Sequence, residues 1–407
     1  MAKRICYILP TFKICGGVMV VLEHANRLKK RGYEISIINI GVEKTLDWFP
    51  NNGAHLYSIA DDYPKDHNIV IATGWTTAYK ARFLGLHAER WVYLVQLNES
   101  LFYDKNSLEF SLARLTYYAP YEYVVIAKWM KDWLYHDFGI NSLYVPNALN
   151  KDIIFQTEPL VPSTNRLRVM IEGPMHSRYK GTSDAFLVVK DLDVEVWCVS
   201  NGNPKIGQKC DRIFKFVPYD QMRSIYSSCD VLLKMSRLES FCYPPLEMMA
   251  CGGTAVITRF TGHEEYAVDG ANCFIVDIGD IAAATDKIRK LSEDRELLEH
   301  LKQGALYTSA KMYNWEASID ILQNFFESPV PPLPKETIFE QKSFEALALL
   351  TEKLVVDFHN NAMGTSADCL KRLAYLENGL NALKQFPGFR LLRILDKTRR
   401  WLRQESD

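Results

Sequence analysis

Along the first 150 residues, short apolar runs alternate with segments in which apolar side chains recur every three or four positions. Ile5 to Leu9 reads as a buried strand. The loop after it ends at Gly16-Gly17, and Val18, Val21, Leu22, Ala25 and Leu28 then fall at helical spacing. Gly32 closes that helix ahead of a second strand, Glu34 to Ile40. Further runs at Ile69-Val70-Ile71, Trp91 to Val95, Tyr123 to Ile126 and Leu143-Tyr144-Val145 extend the alternation, so residues 1–150 predict a domain with a parallel sheet covered by helices.

The pattern lapses between Leu149 and Arg166, where Pro159, Pro162, Ser163, Thr164 and Asn165 predict an exposed connection. It resumes with strands at Leu167 to Ile171, Val194 to Val199, Val231 to Lys234, Thr254 to Thr258 and Phe274-Ile275-Val276. A second domain over 166–328 therefore repeats the first. Its last helix, with Trp315, Ile319, Leu322 and Phe326 on one face, either stays with it or crosses back to the first domain. Pro329, Pro331, Pro332 and Pro334 break the chain there, and residues 335–407 read as a helical extension. Within it, Leu373, Leu376, Leu380 and Leu383 hold a heptad for two repeats, too few for a coiled coil. Phe389 to Arg403 carries Arg390, Arg393, Lys397, Arg399, Arg400 and Arg403 against Asp396, the pattern of a basic amphipathic helix.

Composition narrows the class. With 407 residues, 48% apolar and 24% charged, the chain has material for two soluble cores. Its 48 basic and 49 acidic side chains leave a net charge of −1, so no overall field draws it to nucleic acid, and no nucleic-acid partner is expected. Nine scattered cysteines without a C-x-x-C pair point to a reducing, cytoplasmic setting, with neither a disulfide framework nor a metal cluster. The first apolar run is cut by Pro10 and Lys13, too short for a secretion signal, and no run approaches the ~18 apolar residues of a membrane span. The basic helix leaves two readings open: peripheral contact with the inner face of the cell membrane, or packing on the protein itself.

The chemistry concentrates after Val231 to Lys234, in MSRLESFCYPPLEMMACGG. Pro244-Pro245 suits a helix start and places Glu247 in the first turn, with Glu239 in the loop before it. The N–H groups of Ser240, Phe241, Cys242 and Tyr243, with the helix start, offer a site for anionic phosphates. Two carboxylates there can accept hydroxyl hydrogen bonds from a ribose and a sugar.

The pattern S-x-x-E-S-F-x-x-P-x-L-E-M-M-A-C-G, from Ser236 to Gly252, resembles the signature of family 4 glycosyltransferases, and T-A-V-I-T, G-H-E-E and D-G-A-N-C-F-I-V continue it in order. The resemblance implies an α/β chain of the GT-B fold: two Rossmann-like domains facing across a cleft, here with a helical C-terminal extension. It implies a retaining hexosyltransferase in which Glu239 contacts the donor sugar and Glu247 the ribose, with a nucleotide sugar as co-substrate and neither cofactor nor metal. Gly173 through Gly181, GPMHSRYKG, occupies the family's phosphate loop, and Lys180 matches its diphosphate-binding lysine. Pro174 stands in place of the usual arginine and the spacing is one residue longer, which leaves Arg178 as a candidate second positive charge. Gly16 and Gly17 resemble the glycine loop facing the donor phosphates; a plain strand-to-helix turn is the alternative.

YLVQLNESLFY, Tyr93 to Tyr103, together with YPPLEMMA, is similar to bacterial cell-surface polysaccharide rhamnosyltransferases. That resemblance implies dTDP-rhamnose as donor, a growing and lipid-linked glycan as acceptor, and Gln96 and Glu99 as acceptor-side residues, although Leu97 and Asn98 depart from the pattern. Two other readings stay open: another GT-B enzyme, such as a sugar-nucleotide epimerase or a phosphorylase, and a non-catalytic nucleotide-binding assembly partner. His24, His176 and His263 lie near these loops, His24 on the polar side of the first helix and His263 in a surface turn. Asp191 to Asp193 precedes its strand and reads as a turn rather than a metal site.

Overall fold

The computed structural model describes residues 2–50, 53–162, 164–175 and 177–330. The predicted extension over 335–407, with its leucine repeat and basic helix, lies outside the described residues, as does His176.

The first half builds strands β1 (Arg4–Leu9), β2 (Glu34–Asn39), β3 (His55–Ser58), β4 (Asp66–Ala72), β5 (His87–Val95), β6 (Glu122–Val125) and β7 (Leu143–Tyr144). They form one seven-stranded parallel sheet in the order β3-β2-β1-β4-β5-β6-β7. Helices α1 (Gly16–Lys30), α2 (Trp75–Lys80), α3 (Leu108–Leu115) and α4 (Lys128–Phe138) lie in its crossovers. Central strands such as β1 and β2 are buried at every position after the first, which is why they read as continuous apolar runs. Sequence reasoning missed β3 because it is a half-buried edge strand with no such run.

The second half repeats the plan with β8 (Arg168–Glu172), β9 (Glu195–Val199), β10 (Arg212–Phe214), β11 (Val231–Lys234), β12 (Thr254–Thr258) and β13 (Phe274–Val276). Their order is β10-β9-β8-β11-β12-β13, again parallel. Helices α5 (Thr182–Val189), α6 (Met222–Tyr226), α7 (Tyr243–Ala250), α8 (Ile281–Glu293) and α9 (Arg295–Lys311) accompany it, and α10 (Trp315–Glu327) follows. The short edge strand β10 is the second element the periodicity did not show.

One apolar core runs between the halves. It joins Leu9 and Leu22 of the first to Met170, Trp197 and Leu246 of the second. A separate cluster packs α5 and α8 on the far face of the second sheet. The connection after Leu149 is less exposed than its composition predicts, since Leu149, Asn150 and Ile154 are buried. Only its proline-bearing later part lies mostly at the surface.

Helix α10 crosses back to the first half. Arg31, which caps the end of α1, reaches Glu316 at 2.7 Å and Asp320 at 2.6 Å, Lys3 Nζ donates to the Phe326 carbonyl at 3.1 Å, and Ser318 Oγ donates to the Pro146 carbonyl at 2.7 Å. His24 is buried under this helix, with its ring 5.6 Å from that of Trp315, and is not on a polar side of α1. The burial lowers its pKa to about 3, so it stays neutral. Among the described residues no helix is long and apolar enough to cross a membrane.

Candidate functional site

Strands β8 and β11 are hydrogen-bonded neighbours at the point where strand order reverses, and their carboxyl ends open onto the crevice such a reversal creates. Gly173 follows β8 with φ of 129°, and Gly181 opens α5 with φ of 59°. A Cβ on Gly181 would lie 1.7 Å from the Met235 carbonyl oxygen, so glycine alone lets the two loops meet. That contact delivers Lys180 to Glu239: its Nζ donates to both carboxylate oxygens, at 2.8 and 2.9 Å. Ser236 Oγ donates to Oε1 at 2.8 Å.

The Glu239 loop is fixed from behind. Thr261 Oγ1 donates to the Glu239 carbonyl at 2.8 Å, and a Cβ on Gly262 would fall 2.0 Å from the Ser240 carbonyl oxygen. Cys242 takes φ of 67°, costly for a residue with a side chain, and Tyr266 holds it by donating to its carbonyl at 2.8 Å. Phe241, Cys242 and Tyr243 are buried, so of this run only Ser240 is partly exposed. The first half joins in: Trp129 Nε1 of α4 donates to the Ser240 carbonyl at 2.8 Å. Glu265 returns the contact, accepting from the Lys128 N–H at 2.6 Å and from the Tyr144 hydroxyl at 2.9 Å.

Burial would raise the Glu239 carboxyl, but the Lys180 and Lys234 ammoniums and the hydrogen bonds from Lys180 and Ser236 outweigh it and hold the group below its ordinary value. Glu239 is therefore an ionised acceptor. Lys234, at the end of β11, is 3% exposed and donates to the Glu172 carbonyl at 3.0 Å and to its Oε2 at 2.5 Å. Burial opposes its charge, yet Glu172 first, then Cys242 and Glu239, raise its pKa above the usual lysine range. Neither Lys234 nor Glu172 was singled out from the sequence. The signal existed: two apolar runs, Val169 to Ile171 and Val231 to Leu233, are followed by opposite charges, Glu172 and Lys234.

Glu247 departs from expectation. Helix α7 starts at Tyr243, because left-handed Cys242 ends the loop there, so Pro244 is its second residue and Glu247 its fifth. The carboxylate thus sits in the second turn, beyond the free N–H groups of the first. Its Oε2 accepts from the Tyr226 hydroxyl at 2.9 Å, and Tyr219 also hydrogen-bonds it. Burial pushes its pKa up to about 7, with the two tyrosines and Lys234 only partly opposing. Tyr219 in turn stacks on Phe49 of the first half, ring centroids 5.7 Å apart, and donates its N–H to the Trp48 carbonyl at 3.2 Å.

The opposite wall comes from the first half. Gly16 and Gly17 are the first two residues of α1; a Cβ on Gly16 would stand 3.9 Å from the Tyr243 ring, and one on Gly17 would stand 3.3 Å from Gln96 Nε2. Gln96 Nε2 donates to the Gly17 carbonyl at 3.2 Å. Cys15 caps α1, so this helix start lies beside Tyr243, at the end of the Glu239 loop. Glu99 opens a 3₁₀ turn, Glu99–Phe102, where Oε2 accepts from the Trp75 N–H at 2.6 Å and the Tyr93 hydroxyl at 3.0 Å. Burial raises its pKa to about 7. Phe102, in the same turn, meets Tyr179 edge-on at 5.3 Å, and the Tyr179 hydroxyl donates to the Phe102 carbonyl.

Arg178 is exposed at the rim, its guanidinium over the Tyr179 ring at 4.7 Å, and is not brought onto Glu239. His263 is buried rather than in a surface turn, with Nδ1 2.5 Å from the Phe260 carbonyl oxygen. Asp191 to Asp193 lie in a turn. Among the described residues no group of three or more His, Cys, Asp or Glu is arranged to hold a metal ion.

Residues 208–306 match the family model described as Glycosyl transferases group 1. The chain is 30% identical over 125 residues to a D-inositol 3-phosphate glycosyltransferase of Corynebacterium urealyticum, covering 31% of this chain and 29% of that one. It is 30% identical over 95 residues to an N-acetyl-alpha-D-glucosaminyl L-malate synthase of Bacillus anthracis, covering 23% and 25%. The matches thus span under a third of these curated relatives' lengths. In three dimensions it resembles a sucrose-phosphate synthase of Thermosynechococcus elongatus, with TM-score 0.66 at 11% identity over 80% of this chain and 98% of that one. It also resembles Anabaena HepE in complex with UDP and glucose, with TM-score 0.62 at 13% identity over 81% and 100%. WaaG, a glycosyltransferase involved in lipopolysaccharide biosynthesis, matches with TM-score 0.64 at 10% identity over 80% and 100%. Two parallel sheets facing one another, with the Lys180–Glu239 pair between them, form a GT-B-like fold, and residues 208–306 within it carry the glycosyl transferase group 1 sequence.

Proposed function

We propose that this chain is a glycosyltransferase that moves a sugar from a nucleotide-sugar donor to a glycan acceptor. The observation that carries the reading is the Lys180–Glu239 pair at the strand-order reversal of the second sheet, in a loop whose Tyr243 lies beside Gly16 at the start of α1. The group 1 match over residues 208–306 supports it, as does the likeness to HepE structures holding UDP or UDP-glucose.

In this reading the donor diphosphate lies between Gly173, Lys180 and the loop Ser240 to Tyr243, with Arg178 adding positive charge at the rim. Glu239, ionised, accepts hydroxyl hydrogen bonds from the donor sugar, and Glu247 holds the ribose once the Tyr226 hydroxyl yields to it. Gly16, Gly17, Gln96 and Glu99 form the acceptor side. Lys180 stabilises the negative charge that grows on the departing diphosphate, whose oxygen takes the acceptor proton on the same face of the sugar, giving retention. Glu239 serves as acceptor and counter-charge rather than proton donor, in keeping with its lowered pKa.

No cofactor or metal is assigned a role. The resemblance to rhamnosyltransferases makes dTDP-rhamnose one donor to test, and the HepE likeness makes UDP-glucose another. A lipid-linked acceptor and peripheral contact with the cytoplasmic membrane face are the finer reading. Co-sedimentation with anionic liposomes, lost on removing residues 386–407, would support that contact, and unchanged binding would reject it.

The test of the main reading is a panel of nucleotide sugars. A true donor raises Tm by mass action and yields nucleoside diphosphate only when a glycan acceptor is present. Conversion of the nucleotide sugar without acceptor favours an epimerase instead. Binding without either reaction favours a non-catalytic partner.

A further inference from the structure

Lys234 is an unusual residue for its place. It ends a strand whose other positions, Val231, Leu232 and Leu233, are fully apolar and buried, and it is itself 3% exposed. Burying an ammonium costs several kcal/mol unless it is paired and its protons are used. Glu172, ending the adjacent strand β8, supplies that pairing through both its carbonyl and its carboxylate. The pair lies at the carboxyl edge of the sheet, where a Cβ on Gly173 would stand 3.5 Å from Lys234 Nζ and 3.8 Å from the Lys180 Cβ. Two lysines therefore flank one glycine, and their surroundings differ. Lys180 is 35% exposed and can leave Glu239 for an anion in the cleft; Lys234 is enclosed and cannot follow it out.

We infer that Lys234 is a positioning residue that keeps Glu239 ionised when the donor diphosphate draws Lys180 away. The inference rests on the donor reading given above. Without ligand, Glu239 has Lys180 on both oxygens and Ser236 on one. Once Lys180 turns to phosphate, a carboxylate this deeply buried takes up a proton unless another cation is near.

The charged and titratable groups around it come from five places. Lys180 precedes α5, Lys234 ends β11 with Glu172 of β8 behind it, Cys242 lies in Glu239's own loop, and Tyr266 follows β12. Of these, Lys180 and Lys234 are the cations, and the first is engaged by the ligand. Glu172 also keeps the Lys234 ammonium from swinging onto the diphosphate itself. Glu247 shows what this fold does to a buried carboxyl hydrogen-bonded by neutral hydroxyls: its pKa rises to about 7.

The experiment counts protons. UDP, dTDP, GDP and ADP are titrated into the wild-type chain by calorimetry at pH 6.5, in two buffers of different ionisation enthalpy, and the tightest binder is carried to Lys234→Met and Lys234→Arg. Relative to wild type, Lys234→Met is expected to take up about half a proton or more on binding, because Glu239 protonates as Lys180 departs. Lys234→Arg keeps the cation and should match wild type. Where Lys234→Met fails to fold, the double variant Glu172→Leu, Lys234→Met carries the same test, since replacing a buried ion pair by apolar side chains is tolerated. A substituted protein that binds the diphosphate with wild-type proton uptake overturns the inference alone. A wild type that binds none of the four diphosphates overturns the donor reading, and this inference with it.

Discussion

Glu239 and Glu247 stand eight positions apart on one segment, both buried, and their surroundings push them in opposite directions. Glu239 accepts from the Lys180 ammonium, feels the charge of Lys234 and lies below the ordinary carboxylate value; Glu247 meets two tyrosine hydroxyls and rises to about 7. The difference shows that burial alone does not set a carboxyl's state. What decides it is whether the hydrogen-bond donors around it carry charge. Eight positions are enough to change that environment, because the loop before α7 meets the strand ends while Glu247, inside the helix, meets Tyr226 of α6.

The largest effect expected from breaking the contrast is on turnover. Glu239→Gln keeps the shape but removes the charge between Lys180 and Lys234, and acceptor-dependent diphosphate release should fall about 100- to 1,000-fold. A fall of under about tenfold would mean that the charge is not what the reaction uses. Glu247→Gln should instead act mainly on donor affinity, raising KM about tenfold with a smaller change in kcat, as loss of a bound-state contact does.

Next in size is the support of Glu247. Tyr226→Phe removes its 2.9 Å donor and should cost about 1–3 kcal/mol, read from denaturant unfolding. A smaller effect than that would show that Tyr219 alone suffices.

The two carboxyls also predict opposite pH dependences. The folded pKa of Glu247, about 7, is raised above its ordinary 4.5, so the folded state binds its proton more tightly. The stability this gives is full below 4.5 and is lost as pH rises through 7. Glu247→Gln should therefore gain about 2–3 kcal/mol on wild type between pH 5 and pH 8. Glu239, with its pKa lowered, contributes stability at neutral pH that is lost as pH falls through its folded pKa. Glu239→Gln should compare worse with wild type at pH 7 than in acid. Parallel curves for the two variants would remove the distinction.

The smallest effect concerns the contact that ties the Glu239 loop's neighbourhood to the first half. Glu265→Gln keeps one of the two hydrogen-bond acceptors but loses the charge at the start of α4, and should cost about 0.5–1 kcal/mol.

The strands were legible wherever burial on both faces made them continuous apolar runs: Val231 to Lys234, Thr254 to Thr258 and Phe274 to Val276 begin and end where the pattern placed them. Edge strands β3 and β10 lack that burial and left no run to read. The segment holding Glu239 was legible through its residue order, but two of its settings were not. Pro244-Pro245 suggested a helix start one residue late, because nothing local announces that Cys242 takes a left-handed turn. His24 looked polar because its type is polar; only the return of α10, some 290 positions along, buries it against Trp315. Glu172 and Lys234 were visible as charges ending apolar runs, yet that they meet depends on β8 and β11 being neighbours, which strand order and not strand sequence decides.

The return of α10 also bears on how the molecule is made. Strand β7 ends at Tyr144, but the helix that covers His24 and pairs with Arg31 begins at Trp315. A chain emerging at 5–20 residues per second leaves the first half without that cover for on the order of 10–30 s while roughly 170 more residues are synthesised. During that interval the apolar flank of α1 is open to other chains, and the order of synthesis is not the order in which the first half is finished.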